Sequence, residues 1–146
     1  MPLTQSLLDS ILQYGSAIGG LNPDNLRQYI APVINGDEVE SHLIFPAPRA
    51  DGTKAIFAYI LTNARLIKIE IKSSGFESSS AYLKQVTSVD RKASKQPDGT
   101  TDAYTISIIF PEGSFGFRYL SNSVRFKDAT DFSTAIEAAV RKAKGI

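Results

Sequence analysis

The sequence predicts a mainly β domain of the α+β class: two short helices, about seven antiparallel strands and one closing amphipathic helix. Apolar residues recur with a period near 3.6 before residue 34, near 2 between residues 39 and 119, and near 3.6 again from residue 128. Asp-Gly turn sequences at Asp51-Gly52 and Asp98-Gly99 separate alternating segments. A chain of 146 residues is long enough to bury one substantial core.

The first 34 residues predict a helical hairpin. Thr4 is a suitable N-cap for a helix that runs to Ile18 and stops at Gly19-Gly20. Asn22-Pro23 begins a second helix, and Pro32 is expected to end it. The apolar stripe of the first helix consists of Leu7, Leu8, Ile11, Leu12 and Ile18. This stripe is too narrow to form a core alone, so we expect the helices to lie on another part of the protein.

The middle of the chain predicts strands joined by short turns. The predicted strands are residues 39–46, 55–61, 65–72, 81–84, 86–93, 104–110 and 115–119. Residues 46–54 and 96–102 are rich in Pro, Asp and Gly, and residues 73–80 are rich in Ser, so all three segments are expected to be loops or turns.

The end of the chain predicts an amphipathic helix with Asp128 as its cap. Its apolar stripe consists of Phe132, Ala135, Ile136, Ala139, Val140 and Ala143. Arg141, Lys142 and Lys144 fall in its last turn, where the helix dipole favours positive charge. The alternating aromatic residues Phe115, Phe117 and Tyr119 are expected to be core residues, with Phe110 and Phe132 as packing partners.

This order of elements, together with two short motifs, resembles the pleckstrin-homology (PH) superfold. The segment Ile60-Leu61-Thr62-Asn63-Ala64-Arg65-Leu66-Ile67 is similar to a turn common in bacterial PH-like domains and to the Thr-x-x-Arg hairpin of GRAM-type domains. Ile34-Asn35-Gly36-Asp37-Glu38-Val39 resembles the lead-in to their first strand, with one extra residue between Gly36 and Glu38. The resemblance implies a PH-like domain over residues 35–146, in which a bent seven-stranded antiparallel barrel or sandwich is capped by the last helix. Residues 1–34 are then an N-terminal extension.

The turn motif predicts structural roles for its polar residues. Thr62 and Asn63 suit a tight turn because both side chains can bond nearby backbone groups. Arg65, at the start of the next strand, is expected to brace this loop.

The resemblance also implies where a charged ligand would bind. PH domains that bind phosphoinositides use Lys and Arg near their first hairpin loop, so Arg49, Lys54 and Lys72 are the candidate ligand-binding residues. Asp51, Glu77 and Glu112 are expected at the same end and cancel this charge. Binding to anionic lipid at a membrane surface is therefore the alternative function rather than the favoured one.

Composition argues against most catalytic and metal-dependent functions. The chain has no Cys and a single His, His42, so thiol catalysis and multi-histidine metal sites are excluded. No carboxylate constellation, calcium loop or nucleotide-binding motif is recognisable, so we expect no enzyme activity, no metal and no cofactor. The formal net charge is +1, and the cluster Arg91, Lys92 and Lys95 is too small to predict nucleic-acid binding.

The sequence therefore predicts a binding or scaffold module that recognises a protein or an extended peptide. PH-type sheets offer a groove between an edge strand and the C-terminal helix for such a peptide. The N-terminal helices either occupy this groove or form a homo-oligomer through Leu7, Leu8, Ile11 and Leu12. The first 20 residues lack a secretory-signal pattern and no apolar run is long enough to span a membrane, so a cytoplasmic location is expected.

Overall fold

A computed structural model of the protein describes residues 2–13, 22–48, 54–72 and 74–146. The helices are α1 (Pro2–Leu12), α2 (Pro23–Ile34) and α3 (Phe126–Ala143). The strands are β1 (Val39–Pro48), β2 (Lys54–Thr62), β3 (Arg65–Lys72), β4 (Gly75–Tyr82), β5 (Ser88–Lys95), β6 (Asp102–Phe110) and β7 (Gly113–Leu120). A 3₁₀ helix covers Leu83–Gln85. The chain forms two compact units, Met1–Ser80 and Ala81–Ile146.

The described strands pair into two antiparallel sheets. One sheet has the order β1-β2-β3-β4 and the other the order β5-β6-β7, so within each sheet the strands that follow one another in the chain are neighbours. The predicted mainly β class, with seven antiparallel strands, N-terminal helices and a C-terminal helix, is confirmed. Within the described residues, these strands do not close into a barrel.

In the first unit, the two N-terminal helices cover one face of the four-stranded sheet. Alternate residues of β2 and β3 supply that face with side chains that are completely buried, namely Ile56, Ala58, Ile60, Ile67, Ile69 and Ile71. Leu7 and Ile11 of α1 and Leu26 of α2 belong to the same apolar cluster and are also completely buried. The prediction that the helices lie on another part of the protein is confirmed.

The prediction that Pro32 ends α2 is wrong. The helix continues past Pro32 to Ile34 and is closed by Asn35, whose φ of 50° is left-handed and whose N–H bonds the Ala31 carbonyl. A proline in the last turn removes only one helical hydrogen bond, and Ile34 gains burial in the core of the first unit. The predicted start is confirmed, since the side chain of Asn22 accepts bonds from the first backbone N–H groups of the helix.

The ends of the other two helices differ from the predictions. α1 starts at Pro2 rather than after Thr4, because proline is preorganised for the first helical position. It ends at Leu12, before the predicted end at Ile18, which lies outside the described residues. α3 starts at Phe126, so Asp128 lies in its first turn rather than at the cap.

The serine-rich segment 73–80 was predicted to be a loop, but residues 75–80 form most of β4. The predicted strand at 81–84 is divided between the end of β4 and the 3₁₀ helix. Serines have no alternating apolar pattern, so it is pairing with β3, not local preference, that makes this segment a strand.

In the second unit, α3 packs on the face of its sheet that carries the alternating aromatic residues. Phe115, Phe117 and Tyr119 are buried, and the ring centroids of Phe117 and Phe132 are 6.0 Å apart. Phe110 packs edge-on against Phe115 at 5.0 Å. The prediction that these aromatic residues form core is confirmed.

Candidate functional site

The polar residues of the turn motif hold the end of α2 to the β2–β3 hairpin. Arg65 donates from Nε to the Asp37 carboxylate at 2.7 Å and from Nη2 to the carbonyls of Val33 and Ile34 at 2.9 and 2.7 Å. These two carbonyls belong to the last turn of α2, where they have no partner within the helix. The guanidinium thus replaces hydrogen bonds that the helix end lacks.

Thr62 and Asn63 complete the same arrangement. The Thr62 hydroxyl donates to the Asp37 carboxylate at 3.0 Å and accepts the N–H of Arg65 at 2.9 Å. Asn63 exchanges two bonds with the backbone of Glu38, one through its side-chain oxygen and one through its N–H. The motif that carries the family resemblance therefore has a structural role, as predicted for Arg65.

A shallow cavity of about 210 Å³ lies on the first sheet, lined by Phe57, Lys68, Glu70, Glu77 and Ser79. Lys68 Nζ lies 5.2 Å from the centroid of the Phe57 ring, a cation–π contact. This cavity combines both signs of charge with one aromatic surface.

The structure describes the three candidate ligand-binding residues predicted from the sequence to different extents. Lys72 lies at the end of β3, where Nζ is 3.1 Å from Glu77 and 3.6 Å from Glu70. Its charge is therefore balanced by two carboxylates. Lys54 is the first residue of β2, and only its backbone is described. Arg49 lies outside the described residues. The proposed role of all three in binding stays a prediction.

β5 is the outermost strand of the second sheet and is strongly exposed. Among the described strands it pairs with β6 alone, and residues 90–95 are exposed. The bond from Gln96 N–H to the Thr101 carbonyl fixes which backbone groups face β6. By the alternation of an antiparallel ladder, the N–H and C=O groups of Arg91, Ala93 and Lys95 point away from β6. This edge presents backbone donors and acceptors with the spacing of a strand.

The β5 edge lies beside α3. The Arg91 guanidinium forms an ion pair with Glu137 of α3, and Lys95 Nζ lies 3.3 Å from Asp102 of β6. Lys92 lies on the opposite face of the strand from Arg91 and is exposed. The result is an open strand edge flanked by a helix on one face and a lysine on the other.

The sequence had singled out Arg91, Lys92 and Lys95 as a basic cluster but had not connected them with Glu137. Strand alternation puts Arg91 on the face of Val89 and Ala93, and the helical period puts Glu137 next to the buried Ile136. Each pattern assigns its residue to one face of its own element, but only the packing of α3 on the sheet brings Arg91 and Glu137 together.

The ionisable groups in the described parts of the chain do not form a metal site, since no group of three or more His, Asp or Glu residues there is arranged to hold a metal ion. Burial raises the pKa of the Tyr59 hydroxyl to about 12, so it stays protonated at neutral pH. None of the described helices combines the length and the hydropathy that crossing a membrane requires.

The comparisons with known proteins add no family to these observations. No protein-family model matches the chain, and no curated protein matches it. The structure itself shows a small α+β protein with two antiparallel sheets and a C-terminal helix, an architecture compatible with a PH-like fold.

Proposed function

We propose that this chain is a non-catalytic binding module of PH-like fold that recognises an extended segment of a partner protein. The partner segment adds to the outer edge of β5 as a further strand, next to α3. The observation that carries this proposal is the exposed edge of β5, whose outward backbone groups at Arg91, Ala93 and Lys95 match the hydrogen-bonding pattern of an incoming strand.

The charge of this edge favours an acidic partner segment. Arg91 and Lys92 project to opposite faces of β5, so both faces of an added strand would meet a cation. Arg91 is already paired with Glu137, which leaves the exposed Lys92 as the main charge contact. Backbone pairing supplies the affinity, and alternate side chains of the peptide supply the specificity.

Ala93 permits a sharp test because its N–H points away from β6. Replacing Ala93 by Pro removes one outward donor without breaking a bond of the β5–β6 ladder, a placement that edge strands tolerate. The probe is a peptide selected from a random library displayed on phage. We expect Ala93→Pro to weaken its binding at least tenfold, since one backbone hydrogen bond is lost and the added strand is displaced.

Ala93→Ser is the matched control, because serine keeps the N–H and changes little else. It should bind the same peptide as tightly as the unchanged chain. In ¹⁵N spectra, the bound peptide should shift the amides of residues 89–95 most strongly. If the selected peptides bind Ala93→Pro undiminished, or if they shift only amides far from β5, the proposal is wrong.

Binding to anionic lipid remains the alternative implied by the resemblance. It has less support from the geometry, because Lys72 lies between two glutamates. Co-sedimentation with vesicles containing phosphatidylserine separates the two functions. Lipid binding that weakens with Arg49→Glu and is unaffected by Ala93→Pro would favour the membrane surface over the peptide.

A further inference from the structure

Two of the outermost strands, β4 and β5, differ in the charges they carry, and this difference is the starting point. β4 is the outermost strand of the first sheet, and its residues Glu77, Ser78, Ser79 and Ser80 are all exposed. Natural sheet edges are usually protected from pairing with another chain by lysines, prolines or bulges. The sequence of β4 contains no lysine or proline, and its one charged residue, Glu77, is bound to Lys72 at 3.1 Å.

We propose that β4 is a self-association edge, at which two copies of this chain pair as antiparallel strands about a twofold axis through Ser79. A twofold axis requires a self-complementary strand. In this register, Ser79 lies opposite Ser79 of the second copy, Ser78 opposite Ser80, and Glu77 opposite Ala81. No charged side chain then faces a like charge.

The same register gives an exposed aromatic residue, Tyr82, a partner in the second copy. Tyr82, at the end of β4, is 58% exposed, one of the few large apolar residues so exposed in the described chain. Phe76 stacks on Tyr29 of α2 at 4.7 Å, which places Phe76 on the helix-covered face of the sheet. Because residues 76 and 82 are an even number apart, both lie on that face. The proposed register sets Tyr82 of each copy opposite Phe76 of the other, an aromatic cross-strand pair.

A slip of one residue would lose this arrangement. It would set Gly75 opposite Tyr82. It would also put the helix-covered face of one copy on the same side of the joined sheet as the uncovered face of the other copy. At β5, the charges oppose self-pairing. A twofold pair centred on Lys92 would set two lysines directly opposite each other, with two Arg91 residues close by. The second copy is therefore expected at β4, while the β5 edge stays open to a different partner.

The chain contains no cysteine, so a single introduced cysteine reports on this interface alone. Opposite residues in an antiparallel pair have Cα atoms about 4.5–5.5 Å apart, within the span of a disulfide. We expect Ser79→Cys to form a disulfide-linked dimer under mild oxidation. Ser94→Cys, the same substitution on the exposed strand β5, is the control and should cross-link at least tenfold more slowly. Equal rates for the two variants, or no cross-linking of Ser79→Cys, would overturn the proposal.

Sedimentation equilibrium tests the register without a covalent bond. A pairing of eight residues buries little surface, so the association is expected to be weak and visible only at high protein concentration. Ser79→Lys sets two cations opposite each other and should weaken the dimer about tenfold. The double variant Ser78→Lys, Ser80→Glu sets an introduced lysine opposite an introduced glutamate twice and should tighten the dimer roughly fivefold.

The outcomes of this experiment are distinct from those of the peptide proposal. Ala93→Pro should leave the dimer unchanged, because it alters the other edge. A single-chain mass at millimolar protein, or a double variant that associates no more tightly than the unchanged chain, would show that β4 does not pair in this way.

Discussion

Arg65 is the side chain on which the junction between α2 and the first sheet most depends. Its side chain is 14% exposed, and its guanidinium bonds Asp37 and two carbonyls at the end of the helix. Removing it leaves a half-buried carboxylate and helix-end carbonyls without this donor. We therefore expect Arg65→Ala to lower the free energy of unfolding by about 2–4 kcal/mol, measured by urea denaturation.

A matched control is the ion pair between Arg27 and Asp24 on the exposed side of α2. These side chains are 3.6 Å apart and are 58% and 82% exposed, respectively. Because exposed pairs contribute little, Arg27→Ala should change the free energy of unfolding by less than about 0.5 kcal/mol. If both substitutions cost the same, Arg65 does not have the bracing role that its geometry indicates.

The carboxylate of Asp98 accepts hydrogen bonds from the turn that follows it, and these bonds change its pKa. The hydroxyl of Thr101 and then the N–H groups of Thr101 and Thr100 donate to its carboxylate, and they lower its pKa from 3.8 to about 2. A lowered pKa in the folded state means that the ionised form is stabilised by folding. The contribution is therefore complete above about pH 4 and is lost as the pH falls through about 2.

The pKa of Asp98 can be followed directly by the NMR shift of its carboxyl carbon. Thr101→Val removes the strongest donor and should raise the midpoint towards 3.8. Thr100→Val removes the weakest of the contributing bonds and should raise it much less. A midpoint that starts near 3.8 in the unchanged chain would contradict the hydrogen bonds of this turn.

At the scale of single elements, periodicity in the sequence predicted those segments that bury one face. β3 and α3 have alternating or helical apolar patterns, and the structure confirms both as elements with one buried face. β4 was missed because its four exposed positions, residues 77–80, carry no apolar signal. Its pairing with β3 is a tertiary effect, which a local pattern does not contain.

The candidate site shows the same division between local and tertiary information. Alternation along the strand assigns Lys92 to one face and Arg91, with Val89 and Ala93, to the other. The outermost position of β5 depends on the order of strands in the sheet. Hairpin connections alone leave open which strands end at an edge, so the sequence could place Arg91 and Lys92 on a strand but could not place that strand at the edge of a sheet.

At the scale of the whole molecule, two edge strands of different composition occur in one chain. β5 carries Arg91, Lys92 and Lys95 beside Asp90, whereas residues 78–80 of β4 are uncharged serines. A charged edge discriminates among partners by electrostatic complementarity, whereas an uncharged and self-complementary edge accepts a copy of itself. The two proposals assign one partner to each edge, so a module of this kind would present two copies of the β5 edge per dimer. Two linked sites raise avidity for a partner that carries repeated segments.

The N-terminal helices provide the last prediction, because the residues expected to form a dimer seam are also core residues. Leu7, Leu8 and Ile11 are at most 4% exposed and belong to the apolar cluster of the first unit. Ile11→Ala should therefore act on stability, lowering the free energy of unfolding by about 2–5 kcal/mol and the Tm by roughly 10 °C. Ser6→Ala, on the exposed side of α1, should leave both unchanged. The association measured by sedimentation should be the same for both variants, because β4 is untouched. If Ile11→Ala instead dissociates the dimer while the Tm stays within a degree, α1 contributes to the contact between copies and Ile11 does not stabilise the core in the way that its burial indicates.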